Sequence, residues 1–314
     1  MSSSHYSRAF WIILIASFFY ASCATFVLPI IVGFALCSVC ISTWMSGLLP
    51  KNKIGSGMGM YGMANALANA LAPSLSVTVW QNLGYRTALL MSALYAVITA
   101  LLLSFVKDKG EPTPVQNSAN RRKQVIEWRI FPISCVAMLV SIPYFATQSF
   151  LVSYVAAKEL DLAINLFFPS YAVVLLVLRF YLKDFFDRVP FRFMITLSTL
   201  CGGVGMILLA AVKNNIMLFL AAACMAGGYG LMCSICQSTA IILAGEGRRG
   251  IANSTYYVGL DLGMMLGPVI GGQLFGKLSI GLFYPMLLLT VPATLAIVWL
   301  CKVCRAGAAD ADNA

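Results

Sequence analysis

The sequence predicts an all-α polytopic membrane protein of about ten transmembrane helices, each span needing about 20 residues. Three observations predict it. Of 314 residues, 60% are apolar and only 10% charged, with a mean hydropathy of +0.86; a water-facing domain carries roughly 25% charged residues. Apolar runs of span length recur along the whole chain, parted by short charged or Pro/Gly/Asn-bearing breaks. The 21 Lys and Arg residues are dispersed among those breaks, so the net charge of +10 does not describe a nucleic-acid surface. Ten cysteines in a chain of this length do not make a disulfide-stapled secreted domain either.

The elements follow in order. The apolar stretch 9–49 exceeds one span and is expected to break near 20–25, giving a short first helix and a second ending at Pro50. Spans over 55–81 and 86–106 come next. The polar stretch 107–128 carries Glu111, Pro112, Pro114 and the basic run Arg121, Arg122, Lys123, and reads as a linker. Six further spans are expected over 130–157, 163–182, 191–212, 216–244, 251–275 and 278–301. The expected organisation is an N-terminal bundle of about four helices at 1–106, the linker at 107–128, a six-helix bundle at 129–303 and a tail at 304–314. The start lacks the pattern of a cleavable signal peptide.

An even number of spans puts both termini on one side. Counting Lys and Arg alone, the termini and alternate loops hold 17 of the 21, and the other side only Arg86, Lys158, Lys213 and Lys277. Both termini and the linker are therefore expected in the cytoplasm. The positive charge reads as a topology signal.

The two parts of the chain resemble each other at an offset of 195: Gly33-Phe34-Ala35-Leu36 over Gly228-Tyr229-Gly230-Leu231, Gly55 over Gly250, Tyr61 over Tyr256 and Pro73 over Pro268. A parallel repeat of this kind places two similar bundles side by side about an axis along the membrane normal. In that register the first bundle is expected to lack about 65 residues, or two helices, at its start.

Leu166 to Ala172, continuing to Arg179, Asp187 and Arg188, resembles helix 8 and the following loop of the major facilitator superfamily. The resemblance is closest to its bacterial arabinose-efflux/multidrug-like branch. Arg179, Asp187 and Arg188 match the loop signature R-P-x-x-G-x-x-x-D-R-x-G-R, while Lys183 and Pro190 replace its glycines. Asn253 to Gly272 resembles helix 11, and Gly55 to Pro73 resembles helix 5 with a diluted antiporter motif G-P-x-x-G-G. The resemblance implies an MFS-type two-bundle fold, equivalent to helices 3–12 of 12, alternating access and transport of a small molecule. It also implies that Asp187 docks at the start of helix 5 and steadies a cytoplasmic gate, a carboxylate suiting a helix N-terminus.

Asp261 is the one formally charged residue in the apolar core of an expected span. Such residues usually face a cavity and mark ion or proton pathways. Asn253, Tyr257 and Asp261 recur at i, i+4, i+8 and share one helix face, so they are the candidates for coupling substrate movement to protons; an aspartic acid held by a neighbouring helix is the structural alternative. Tyr61, Asn65 and Asn69 form a second such stripe, as helix-to-helix glue or as cavity lining. Tyr144, Gln148 and Tyr171 lie where the family places substrate contacts, and aromatic and amide groups suit a molecule of mixed polarity. Pro73, Gly267, Pro268 and Gly271 are expected to bend helices or to pack them closely, either as sliding elements or as a static seam.

No cofactor and no metal is expected. Cys37/Cys40, Cys233/Cys236 and Cys301/Cys304 are Cys-x-x-Cys pairs without accompanying histidines, and cysteine also serves as a small core residue. The single histidine, His5, has no catalytic partners, and no P-loop is present. The expected function is a secondary active transporter, a proton-coupled efflux protein in the bacterial plasma membrane, monomeric, with a small organic substrate. The competing reading is a non-transporting truncated gene product. An enzyme or receptor is not expected, for want of a catalytic cluster or a signalling domain.

Overall fold

A computed structural model describes residues 15, 31–49, 54, 57–62, 64–65, 67–68, 79, 82–106, 126–182, 189–245 and 248–301. All regular structure among these residues is helical. The helices are α1 (Ile31–Gly47), α2 (Tyr85–Ser104), α3 (Phe131–Ala157), α4 (Phe167–Leu182), α5 (Phe191–Ala210), α6 (Asn215–Met225), α7 (Leu231–Ala244), α8 (Arg249–Lys277), α9 (Phe283–Leu287) and α10 (Thr290–Leu300). Residues 57–62 are helical as well.

Among the described residues, seven helical stretches are long and apolar enough to cross a membrane. They comprise the span expected over 86–106 and all six expected after the linker. The stretch 9–30 apart from Ile15, the linker residues 107–125 and the candidates Asn69, Pro73, Asp187 and Arg188 lie outside the described residues.

Two expected spans are not continuous α-helix. The span over 216–244 passes from α6 to α7 through a π-turn at Ala226–Gly230. There α5 and α6 meet backbone to backbone: a Cβ on Gly228 would lie 2.6 Å from the Cα of Gly202, an approach that only glycine permits. The span over 278–301 breaks at Leu288–Leu289 into α9 and α10. Pro292 has no N–H to give the carbonyl four residues back, and the amide of Val291 takes up the Leu288 carbonyl instead at 3.0 Å.

Helices α3 to α10 pack around one apolar core that includes Ile133, Tyr154, Phe167, Leu209, Ala222 and Phe283, all essentially buried. Its tightest joint is the α3–α8 seam. A Cβ on Gly259 would strike the Ser134 carbonyl; on Gly263 it would lie 2.6 Å from Ser141, on Gly267 2.8 Å from the Ile142 carbonyl, and on Gly271 2.9 Å from the Phe150 ring. The i, i+4 spacing puts all four glycines on one stripe, and the contacts climb in step, so α3 and α8 run parallel. Gly267 and Gly271 thus pack closely on α3 in this seam, and Pro268 sits inside the same continuous helix.

Consecutive spans run antiparallel, so Gly47, Ser104, Phe131, Leu182, Phe191, Ala244, Arg249 and Leu300 all end at the face where Val106 and Ile126 flank the linker. At the opposite face Asn214 caps α6 by accepting from the Met217 amide at 2.9 Å, as short polar residues do for orphan helical N–H groups. Lys158 donates to the last carbonyl of α5, that of Ala210, at 2.7 Å, where a cation also meets the negative end of the helix dipole.

Candidate functional site

The N-terminal helices meet the C-terminal bundle close to the linker face. Ile41, Met45, Leu49, Ile54, Met58 and Tyr61 form a small buried cluster with Ile241 of α7. Around it the contacts are polar. Asn253, one turn into α8, is fully buried; its amide donates to Ser42 Oγ and, at 3.2 Å, to Thr43 Oγ1 of α1. Gln237 of α7 donates to the Asn253 carbonyl oxygen at 3.1 Å and to the Tyr257 hydroxyl at 3.3 Å. The Tyr257 and Tyr61 hydroxyls lie 3.5 Å apart. Each of these groups thereby has a hydrogen-bond partner, the condition for burying the polar ones among them.

Arginines complete the joint. Arg249 donates to the Ser46 carbonyl at 2.6 Å, in the last turn of α1, where carbonyls lack helical partners. Arg248 pairs with Glu127 at 2.9 Å, which ties the start of α8 to the segment leading into α3. Arg179, in the last turn of α4, is buried at 5% exposure. Its Nη1 donates to the Gly59 carbonyl, and its Nη2 donates to Gly230 O at 2.7 Å and to Ser234 Oγ. Asp261 is therefore not alone as a charge inside the spans. An arginine three residues from the end of an apolar run reads in sequence as an interface charge; only the approach of Gly59 and Gly230 buries it.

The repeat explains how the halves cross. Helix α1 corresponds to α7 and the helix at 57–62 corresponds to α8 at the 195 offset. Helix α1 lies on α8 through Ser42, Thr43 and Ser46, while residues 59–62 lie on α7 and Arg179. A Cβ on Gly62 would collide with Ser234 Oγ. This reciprocity is what a two-fold relation demands of an interface. Ser42 and Gln237 are repeat-equivalent, and both hold Asn253.

Asp261 lies twelve residues into α8, about 18 Å along its axis at 1.5 Å per residue and one turn beyond Tyr257. It is half-buried and has no hydrogen-bond or ion-pair partner among the described residues. The structure thus brings Asn253 and Tyr257 into one network and leaves Asp261 above it. Asn65 is half-buried and donates to its own helix, at Tyr61 O, 3.3 Å. Tyr144 and Tyr171 come together: the Tyr144 ring stacks on Tyr229 at 3.9 Å and 9°, and lies 5.4 Å from the Tyr171 ring. Gln148 sits half-buried one turn further along α3. Tyr229, Gln237, Ser42 and Thr43 were not singled out from sequence. Tyr229 carried a signal, lying in the repeat segment Gly228 to Leu231; the other three are ordinary polar residues in apolar helices until their partners are seen. No group of three or more potential metal ligands occurs among the described residues.

A multi-pass helical protein whose halves are joined by polar groups at one face, with a carboxyl held midway along a span beyond them, has the build of a membrane transporter. The sequence profile of the Major Facilitator Superfamily matches residues 6–268, and the chain belongs to that family. The E. coli fucose:proton symporter FucP is similar in structure, with a TM-score of 0.63 at 13% identity over 93% of this chain and 83% of that one. FucP in its outward conformation gives 0.58 at 14% identity, over the same shares of the two chains. A bacterial homologue of the iron transporter ferroportin in its outward-facing state gives 0.63 at 14% identity, over 94% of this chain and 84% of that one. At these identities the likeness is one of fold. Comparison with curated protein sequences gives no match.

Proposed function

We propose that the chain is a proton-coupled secondary transporter that exports a small organic molecule by alternating access. It works in the bacterial plasma membrane, as a monomer, with both termini and the linker in the cytoplasm. Bundles at 1–106 and 129–303 rock about the joint, and 107–128 tethers them. The carrying observation is the pairing of a sealed polar joint at the linker face with Asp261 one turn beyond it. The Lys and Arg count supports a cytoplasmic linker face, and on this reading the joint is the closed cytoplasmic gate. Asp261 takes up a proton from the outside while the gate is shut. When the joint parts, it faces the cytoplasm and releases the proton as substrate binds. Export is supported by the diluted antiporter motif in the helix 5-like stretch Gly55 to Pro73; the similar fucose:proton symporter supports coupling to protons.

The test uses the full chain in proteoliposomes containing pyranine, with an imposed pH gradient and a panel of small organic molecules. Proton flux that depends on a panel member is expected, and D261N should lower it by about tenfold or more, as loss of a group acting only in the coupled step does. Unchanged pH-driven flux in D261N would overturn the assignment.

A further inference from the structure

We propose that Arg179 is the docking point for an anionic group of the cargo, and that the substrates are small organic carboxylates; this rests on the transport reading above. Arg179 is a buried charge without a counter-charge among the described residues. Its three acceptors, Gly59 O, Gly230 O and Ser234 Oγ, are all neutral, and its Nε has no partner. A charge inside a membrane span is costly to keep and as a rule marks a pathway.

The acceptors divide between the halves. Gly230 and Ser234 belong to the same bundle as Arg179 and hold Nη2 in both states. Gly59 lies across the joint, so parting the halves takes away its carbonyl and leaves Nη1 free beside the unpartnered Nε. A guanidinium so oriented, with donors to spare, matches a carboxylate better than any neutral group. Tyr171 lies two turns back along α4, with the Tyr144 ring against it and Tyr229 stacked on Tyr144 in turn, and these rings suit the apolar body of an organic acid. Closing brings Gly59 O back to Nη1. Carboxylate and carbonyl compete for one donor, so the anchor that loads cargo from the cytoplasm lets go as the gate shuts.

The full chain in proteoliposomes is assayed by exchange of radiolabelled carboxylates, p-aminohippurate first, each against its uncharged carboxamide. The acids are expected to exchange about tenfold faster than the amides, with R179Q at the protein-free background and R179K intermediate, since a point charge replaces the planar fork. Phenylglyoxal labelling of the wild-type chain, read by mass spectrometry, guards against misfolding of the variants: p-aminohippurate should protect Arg179 and its carboxamide should not. Exchange of acids by R179Q at the wild-type rate, or absence of protection, would overturn the proposal. If uncharged molecules alone move, driven by the pH gradient, the carboxylate assignment falls and the transport reading stands. If nothing moves, both fall.

Discussion

Asn253 and Asp261 stand two turns apart on α8, the first fully buried and paired across the joint, the second half-buried without a described partner. That contrast is what the proposed function asks of the two, Asn253 in the joint and Asp261 in proton coupling. Replacing Asn253 with Ala removes its bonds to Ser42 and Thr43 across the joint and leaves the Gln237 amide with Tyr257 alone, and a buried donor deprived of its acceptor costs about 1–3 kcal/mol. The closed state should lose that much relative to the open one. Accessibility of the thiol in an S42C variant to a polar maleimide from the linker face checks it: labelling should speed up by about tenfold or more when N253A is added, 1.4 kcal/mol being one decade of equilibrium. The face shared by Asn253, Tyr257 and Asp261 was legible in the sequence because helical periodicity alone defines it. The burial of Arg179 was not, because it depends on a glycine more than a hundred residues away.

At the scale of elements, the α3–α8 seam should tolerate no side chain. Gly263→Leu would put a branched side chain where even a Cβ lies 2.6 Å from Ser141 and 2.7 Å from the Met138 carbonyl. Overpacking of this kind costs about 1–3 kcal/mol. Thermal unfolding of the purified chain should fall by several degrees, while polar-maleimide labelling of S42C keeps its wild-type rate, since the seam lies within one bundle. The glycine stripe was plain in the sequence, but a stripe does not name its partner. The structure places α3 on it, a partner that lies more than a hundred residues away in sequence. The π-turn at Ala226–Gly230 was hidden for a similar reason: it answers the backbone of α5 at Gly202, a contact with no local signature.

For the whole molecule, composition and hydropathy made the membrane and the helix class legible, and the 195 offset made the two-fold relation legible before any coordinate. What the offset could not tell is which repeat units touch. The structure pairs α1 with α8 and residues 59–62 with α7, so each unit meets the counterpart of its neighbour. An interface built this way, with one small apolar cluster, neutral hydrogen bonds and two arginines on backbone carbonyls, suits the proposed parting and resealing. Packed interfaces switch between discrete arrangements rather than deform gradually.

The central claim is that this joint opens and closes at the linker face. It is tested most directly by pulsed EPR on the full chain in lipid nanodiscs, with nitroxides at Gly47→Cys of α1 and Trp128→Cys before α3. Both positions are exposed, and the ten native cysteines are replaced beforehand. The account predicts two distance populations, the shorter one matching the joint described here, with N253A shifting weight to the longer by about 1–3 kcal/mol. A single distance that neither pH nor N253A alters would contradict it.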